Sequence, residues 1–262
     1  MNHTHPDYGN WIPLVMMRRL AVLIGALLLG AALLFLLLPT PVPGILLGIA
    51  AAALLAAWLY MFRCRRLFDF SGGNLMGTLH QYLAEHLTWD GQGTLLDIGC
   101  GAGALTIRCA RRFPLAHLVG MDSWGPEWSY AQEQCRRNAA LEGVAERGTF
   151  EKGDAARLAY PDGAFDAVVS NFVFHEVRTE PDKRKVVREA LRVLKKGGAF
   201  AFQDLFSQEA LYGDMEQFAR ELRREGFQEV VFIPHVERLG FVPRFVQVPG
   251  MLCGVGLLFG KK

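Results

Sequence analysis

Residues 95–103 read Leu95-Leu96-Asp97-Ile98-Gly99-Cys100-Gly101-Ala102-Gly103. A short apolar strand runs straight into three alternating glycines, with an acid two places before the first. Such a loop brings backbone close to a ligand at the carboxyl end of a parallel strand. Glycine is needed because a Cβ would block the approach and restrict the turn. Dinucleotide sites use G-x-G-x-x-G. Here Gly99, Gly101 and Gly103 give G-x-G-x-G, and Asp97 would meet a pyrophosphate with like charge. An acid at that place suits a cofactor end that carries an amine.

Outward from this loop, short apolar runs alternate with helical ones. Leu75, Leu79, Leu83 and Leu87 recur at helical spacing and predict a helix over 74–87, ahead of a first strand at 94–98. Further strands are expected at 116–121, 148–152, 165–170, 198–203, 228–233 and 255–260. Helices are expected at 104–112, 127–141, 183–194 and 214–225. This alternation argues an α/β fold with a mostly parallel, seven-stranded sheet and helices on both faces.

In an open sheet of this kind, ligands sit where the strands stop. The second strand stops at Asp122, where a carboxylate can accept from both hydroxyls of a ribose. The third leads to Gly153-Asp154-Ala155, where Asp154 could accept from an adenine amino group and the Ala155 N–H serve a ring nitrogen. The fourth leads to Ser170-Asn171-Phe172-Val173-Phe174-His175-Glu176, and the fifth to Asp204-Leu205-Phe206. An acid after a strand is equally often the N-cap of the next helix, and for Asp122 or Asp154 taken singly the two readings weigh the same.

Together these segments resemble five successive motifs of the class I S-adenosylmethionine (SAM) dependent methyltransferases. They are the loop 97–103, Asp122, Gly153-Asp154-Ala155, Phe165-Asp166-Ala167-Val168-Val169, and Leu191-Arg192-Val193-Leu194-Lys195-Lys196-Gly197-Gly198. The resemblance covers about 70–262 and implies a Rossmann-like sheet. It places the methionine end of SAM on the loop of Asp97, Gly99, Gly101 and Gly103, the ribose on Asp122, and the adenine beside Asp154 and Ala155. One position departs from the pattern. The residue after the second-strand acid is usually apolar and stacks on adenine, but here it is Ser123, which leaves Trp124 as the substitute.

Methyl transfer from a sulfonium needs alignment and exclusion of water more than covalent help. A base is required only if the acceptor must lose a proton. His175 is the first candidate, with Asp204 and Glu176 next and Asn171 bordering both cofactor and acceptor. The competing reading of His175, a helix-start residue bonded to backbone, weighs equally. His80, Tyr82, Trp128 and Tyr212 are candidates for the acceptor pocket that spacing alone does not place. The Asn/Asp-Pro-Pro-Tyr signature of many base methyltransferases is absent after the fourth strand, and no Pro-Cys pair of the cytosine-C5 kind occurs.

The other half of the reading lies ahead of residue 67. Residues 20–38 and 45–62 are uncharged apolar runs, each giving a helix of roughly 27–28 Å against a hydrocarbon core of ~30 Å. The turn 39–44, Pro-Thr-Pro-Val-Pro-Gly, breaks the helix between them. A signal peptide would have a shorter core and no second span at once behind it. A transmembrane hairpin over 20–66 is therefore expected, with a segment 1–19 before it and the catalytic domain over 67–262. Arg18, Arg19, Arg63, Arg65 and Arg66 flank the spans and the turn has no base, so both ends are expected in the cytoplasm. Trp11, Trp58 and Tyr60 suit the interfacial belt.

Residues 1–66 carry a net charge of +4 and residues 67–262 of −2. A slightly acidic soluble part disfavours a nucleic-acid partner. The five cysteines are scattered, with no C-x-x-C pair, so neither a disulfide framework nor a metal site is indicated. The leading expectation is a membrane-anchored SAM-dependent methyltransferase of a small lipophilic acceptor, similar to the branch with quinone and sterol methyltransferases. A SAM-binding regulatory or assembly module without turnover, a methyltransferase of a soluble nucleophile such as a thiol, and an NAD-dependent reductase stand as alternatives. The reductase is disfavoured by the glycine spacing.

Overall fold

The apolar run before the glycines is β1 (Gly93–Ile98), and the other strands are laid down around it. In the computed structural model, which describes residues 4–125 and 132–262, they are β2 (Ala116–Asp122), β3 (Gly148–Lys152), β4 (Phe165–Asn171), β5 (Leu194–Asp204), β6 (Glu229–Ile233) and β7 (Gly256–Lys261). Their order is β3-β2-β1-β4-β5-β7-β6. All neighbours are parallel except β7, which runs antiparallel to both β5 and β6. Asp97 lies level with Gly120 on one side and Val169 on the other. The chain leaves β1 for β2 and β3, then crosses to β4. The carboxyl ends of β1 and β4 therefore border the crevice where sheets of this kind take ligands.

Two compact units make up the chain. One comprises the residues up to Tyr8 together with Gly77–Lys262, the other Gly9–Met76. The second unit holds two long helices, α1 (Leu14–Leu37) and α2 (Val42–Phe68), both long and apolar enough to cross a membrane. They pack through small or slender residues, with Ile24, Ala31, Gly44 and Ala51 buried. A Cβ on Gly44 would meet the Phe35 ring at 2.9 Å and the Ala31 carbonyl oxygen at 3.1 Å, so glycine sets how closely the helices approach. Outward side chains such as Val22, Leu29, Leu36, Leu46 and Ile49 are exposed, Leu36 to 81%. The reversal is shorter than 39–44. Val42, Pro43 and Gly44 already belong to α2, because proline in a first turn lacks only an N–H that has no intrahelical acceptor.

Around the sheet lie α3 (Leu75–His86), α4 (Ala104–Arg112), α5 (Gln132–Leu141), α6 (Lys183–Arg192), the short α7 (Glu209–Tyr212) and α8 (Met215–Arg224). The expected helix over 127–141 is described only as α5, since its first residues lie outside the described chain. The helix expected to reach residue 194 stops at Arg192. There the Lys262 ammonium donates to the carbonyls of Leu191, Arg192 and Leu194, and Leu194 already opens β5. The core between sheet and helices is apolar, built from residues such as Leu96, Val168, Phe200, Phe202, Val186, Val187, Phe218 and Leu258.

Candidate active site

The glycine loop is held from behind. The N–H groups of Gly99 and Cys100 both donate to the Met121 carbonyl, at 2.7 and 3.1 Å. The Gly101 N–H donates to Asp122 Oδ2 at 2.8 Å. The Gly101 carbonyl accepts from Trp124 Nε1 and from Cys135 Sγ, each at 2.9 Å, and the Ala102 carbonyl from Asn138 Nδ2 at 2.9 Å. Gly99 has φ +73°, and a Cβ there would stand 2.1 Å from Val173 Cγ2. That contact also seats the segment after β4 directly on the glycine loop.

Asp97 is buried, 1% exposed, and its Oδ2 accepts from Thr106 Oγ1 at 2.6 Å. Burial pushes its carboxyl up to about 7, the Thr106 bond opposes this, and the nearby Asp122 charge adds to it. Two carboxyl groups flanking one loop, at the ends of β1 and β2, disfavour a pyrophosphate and favour a cationic ligand, as an ammonium and a sulfonium provide.

Asp122 caps no described helix. Its Oδ1 takes the Trp124 N–H at 2.8 Å and its Oδ2 the Gly101 N–H. Each oxygen keeps a further lone pair for a hydroxyl. Trp124 has φ +41°, and its indole is tied to the loop carbonyl; Ser123 is exposed. The Gly153 N–H donates to the Asp122 carbonyl at 3.0 Å, which brings Gly153-Asp154-Ala155 beside Asp122. Asp154 makes a turn rather than a cap, accepting from the Ala156 N–H at 2.9 Å and from Thr179 Oγ1 at 3.2 Å. Ala155 is buried.

Beyond β4 the chain is organised by one fully buried carboxylate. Asp204 Oδ2 accepts from the N–H groups of Val173 and Phe174 at 3.0 and 2.8 Å. Its Oδ1 accepts from the Leu205 N–H at 2.6 Å and pairs with His175 Nδ1 at 2.7 Å. Since Asp204 can only accept, His175 carries its proton on Nδ1, and Nε2 faces away from Asp204, toward Glu176. Glu176 Oε1 lies 3.4 Å from that Nε2. Burial of His175 lowers its pKa, but the bond and charge of Asp204, with the charge of Glu176, outweigh this and hold it above its ordinary value.

Asn171 ends β4, and its Oδ1 accepts from Gln203 Nε2 at 3.0 Å. Tyr212 is buried beside Asp204 with its ring on Phe206, 4.8 Å between centroids, so it supports the dyad from within the core. His80 is buried on α3, and its imidazole is held down to about 3 by burial and by Arg108, hence neutral. Tyr82 packs on His86 and Phe241. Neither is brought to the His175 cluster by any of these contacts. Trp128 lies outside the described residues.

Four residues at the site escaped the sequence reading: Thr106, Cys135, Asn138 and Gln203. Only Gln203 left a signal, as an amide at the end of the apolar run 199–202.

A family model described as a methyltransferase domain matches residues 96–202. A sterol 24-C-methyltransferase of Aspergillus fumigatus is 32% identical over 139 residues, covering 53% of this chain and 35% of that protein. A demethylmenaquinone methyltransferase of Thermus thermophilus is 39% identical over 104 residues, covering 40% and 43%. The chain spans about a third of the length of several of the curated relatives it matches. Among solved structures the cyclase SpnF superposes with a TM-score of 0.53 at 24% identity, over 71% of this chain and 80% of that one, a likeness of fold. Strand order, glycine loop and matched stretch agree, and residues 96–202 carry a methyltransferase domain of the class I SAM-dependent kind.

Proposed function

We propose that the protein is a membrane-anchored methyltransferase that moves the methyl group of SAM to a small, lipophilic acceptor, with His175 taking the acceptor's proton. The observation that carries this reading is the His175–Asp204 pair at 2.7 Å, on a segment packed against the glycine loop through Val173 and Gly99. Bound SAM supplies a methyl group already activated on a sulfonium. Asp97 receives its ammonium and Asp122 its ribose hydroxyls, while Asp154 and Ala155 border the adenine and Trp124 covers the loop. Asn171 orients the acceptor. With SAM bound, His175 Nε2 would take the acceptor proton as the acceptor lone pair bonds to the methyl carbon and the S–CH3 bond breaks. The positive charge passes from sulfonium to imidazolium, which the Asp204 carboxylate stabilises. Asp204 itself is spent on four donors, so its part is to orient.

The anchor is read from α1 and α2. A core helix of a soluble protein hides its apolar face, whereas hardly any of either apolar window is buried here. The flanking arginines support a cytoplasmic side for both ends of the hairpin. A bilayer-dissolved acceptor would meet such an enzyme at raised effective concentration, and a sterol and a demethylmenaquinone methyltransferase among the relatives fit that class.

The test is methyl-labelled SAM given to the full chain in lipid vesicles, with either a membrane lipid extract or an aqueous metabolite extract. Label entering a lipid-phase product supports the proposal. Label confined to aqueous products would replace the acceptor class with a soluble nucleophile. SAM bound with no transfer to either extract would leave a binding module.

A further inference from the structure

We infer that Asp7–Tyr8 is a strap that holds the cofactor loop in its binding shape, acting through Asn138. The inference rests on the SAM reading for its consequence, but its geometry stands on its own. Asn138 lies on α5 and is 1% exposed. Its Oδ1 accepts from the Asp7 N–H at 3.0 Å, and its Nδ2 donates to the Asp7 carbonyl at 2.7 Å and to the Ala102 carbonyl at 2.9 Å. The Asp7 carbonyl also accepts from Gln134 Nε2 at 2.7 Å. One turn on, the Tyr8 hydroxyl donates to Glu142 Oε1 at 2.8 Å, and Glu142 is paired with Arg111 of α4.

Residues 134, 135, 138 and 142 share one stretch of helical surface. That surface grips the strap with Gln134, Asn138 and Glu142, and grips the loop with Cys135 at Gly101 and Asn138 at Ala102. Drawing both loop carbonyls toward α5 leaves the opposite side of the loop for the ligand. A buried amide is stable in one orientation only while all its partners are present. With Asp7 in place, both hydrogens of the Asn138 amide and its oxygen are used. Without Asp7, one hydrogen and the oxygen lose their partners, and the pull that fixes the third bond, to Ala102, is relaxed. Asp7 and Asn138 are thus positioning residues, and the segment just ahead of the first long helix becomes part of the cofactor site.

The test uses the full chain in vesicles with Asp7→Pro, which removes the N–H but keeps the carbonyl, combined with Tyr8→Phe. Two readouts are needed. Amide hydrogen exchange without SAM should speed up over residues 99–106 while β5 and β7 stay protected. SAM affinity should fall about tenfold for the loss of two hydrogen bonds, seen as a higher KM for SAM rather than a lower kcat. Unchanged exchange over 99–106 would overturn the strap, as would faster exchange spread evenly through the sheet. Faster local exchange in a protein whose wild type binds no SAM would sustain the strap and sink the SAM reading instead.

Discussion

At Asp204 one carboxylate takes three backbone N–H groups and an imidazole, which decides which nitrogen of His175 is left for chemistry. His175→Ala should lower kcat by roughly 10²–10⁴ and leave SAM affinity near wild type, measured by steady-state kinetics and calorimetry. In the proposed mechanism the base is the neutral ring of His175. Because the folded pKa is raised, turnover should climb with pH through a midpoint above the ordinary histidine value of about 6.5. Asp204→Asn should move that midpoint down, and a flat kcat profile from pH 5 to 9 would remove His175 as the base. The stability sign follows the same shift. The Asp204 pairing stabilises the fold fully below the unfolded histidine pKa, and this contribution fades as pH rises through the folded value. Asp97 gives a second residue-scale expectation. Its carboxyl sits at about 7 and must be ionised to receive an ammonium. SAM binding should therefore weaken as pH falls below about 7, by up to tenfold per unit. Thr106→Val removes a bond that lowers this pKa and should shift the midpoint upward. SAM affinity independent of pH between 5 and 8 would contradict the assignment.

The elements were legible because each carries its own period. β1 and β4 are buried along most of their length and read as nearly unbroken apolar runs, and α4 and β3 fall where the pattern placed them. Misreadings came where a local rule met a tertiary partner. Pro43 reads as a helix breaker but sits in a first turn, and the end of α6 is set by Lys262, which is remote in sequence. The glycine loop is the sharpest case of an element fixed by one residue type. Gly99→Ala puts a Cβ at φ +73° against Val173. It should cost about 1–3 kcal/mol in denaturant melts and abolish measurable SAM binding; a variant as stable as wild type would contradict the close approach. For the helical hairpin, topology is the test. A membrane-impermeant thiol reagent on intact cells should label Thr40→Cys and spare Glu216→Cys. Four of the five native cysteines are buried and give little background. The reverse pattern would overturn the charge argument for orientation.

For the whole molecule, the sequence displayed the ends of the strands but not what joins them. His175 and Asp204 could be named separately, yet nothing local said that residues 29 apart would pair. Asn138 bridging to Asp7, 131 positions away, had no sequence signal at all. The first contact is set by the pairing of β4 with β5, and the second by where the segment before the first helix meets α5. The central claim is that the carboxyl edge of this sheet takes SAM, and it rests on two acids beside a three-glycine turn. Calorimetric titration of the full chain with SAM and with NADH tests it most directly, alongside Asp122→Ala. SAM should bind saturably at 1:1, weakened at least about tenfold in Asp122→Ala by loss of charge-assisted bonds to ribose, and NADH should give no measurable heat. Binding of NADH in preference to SAM would contradict it.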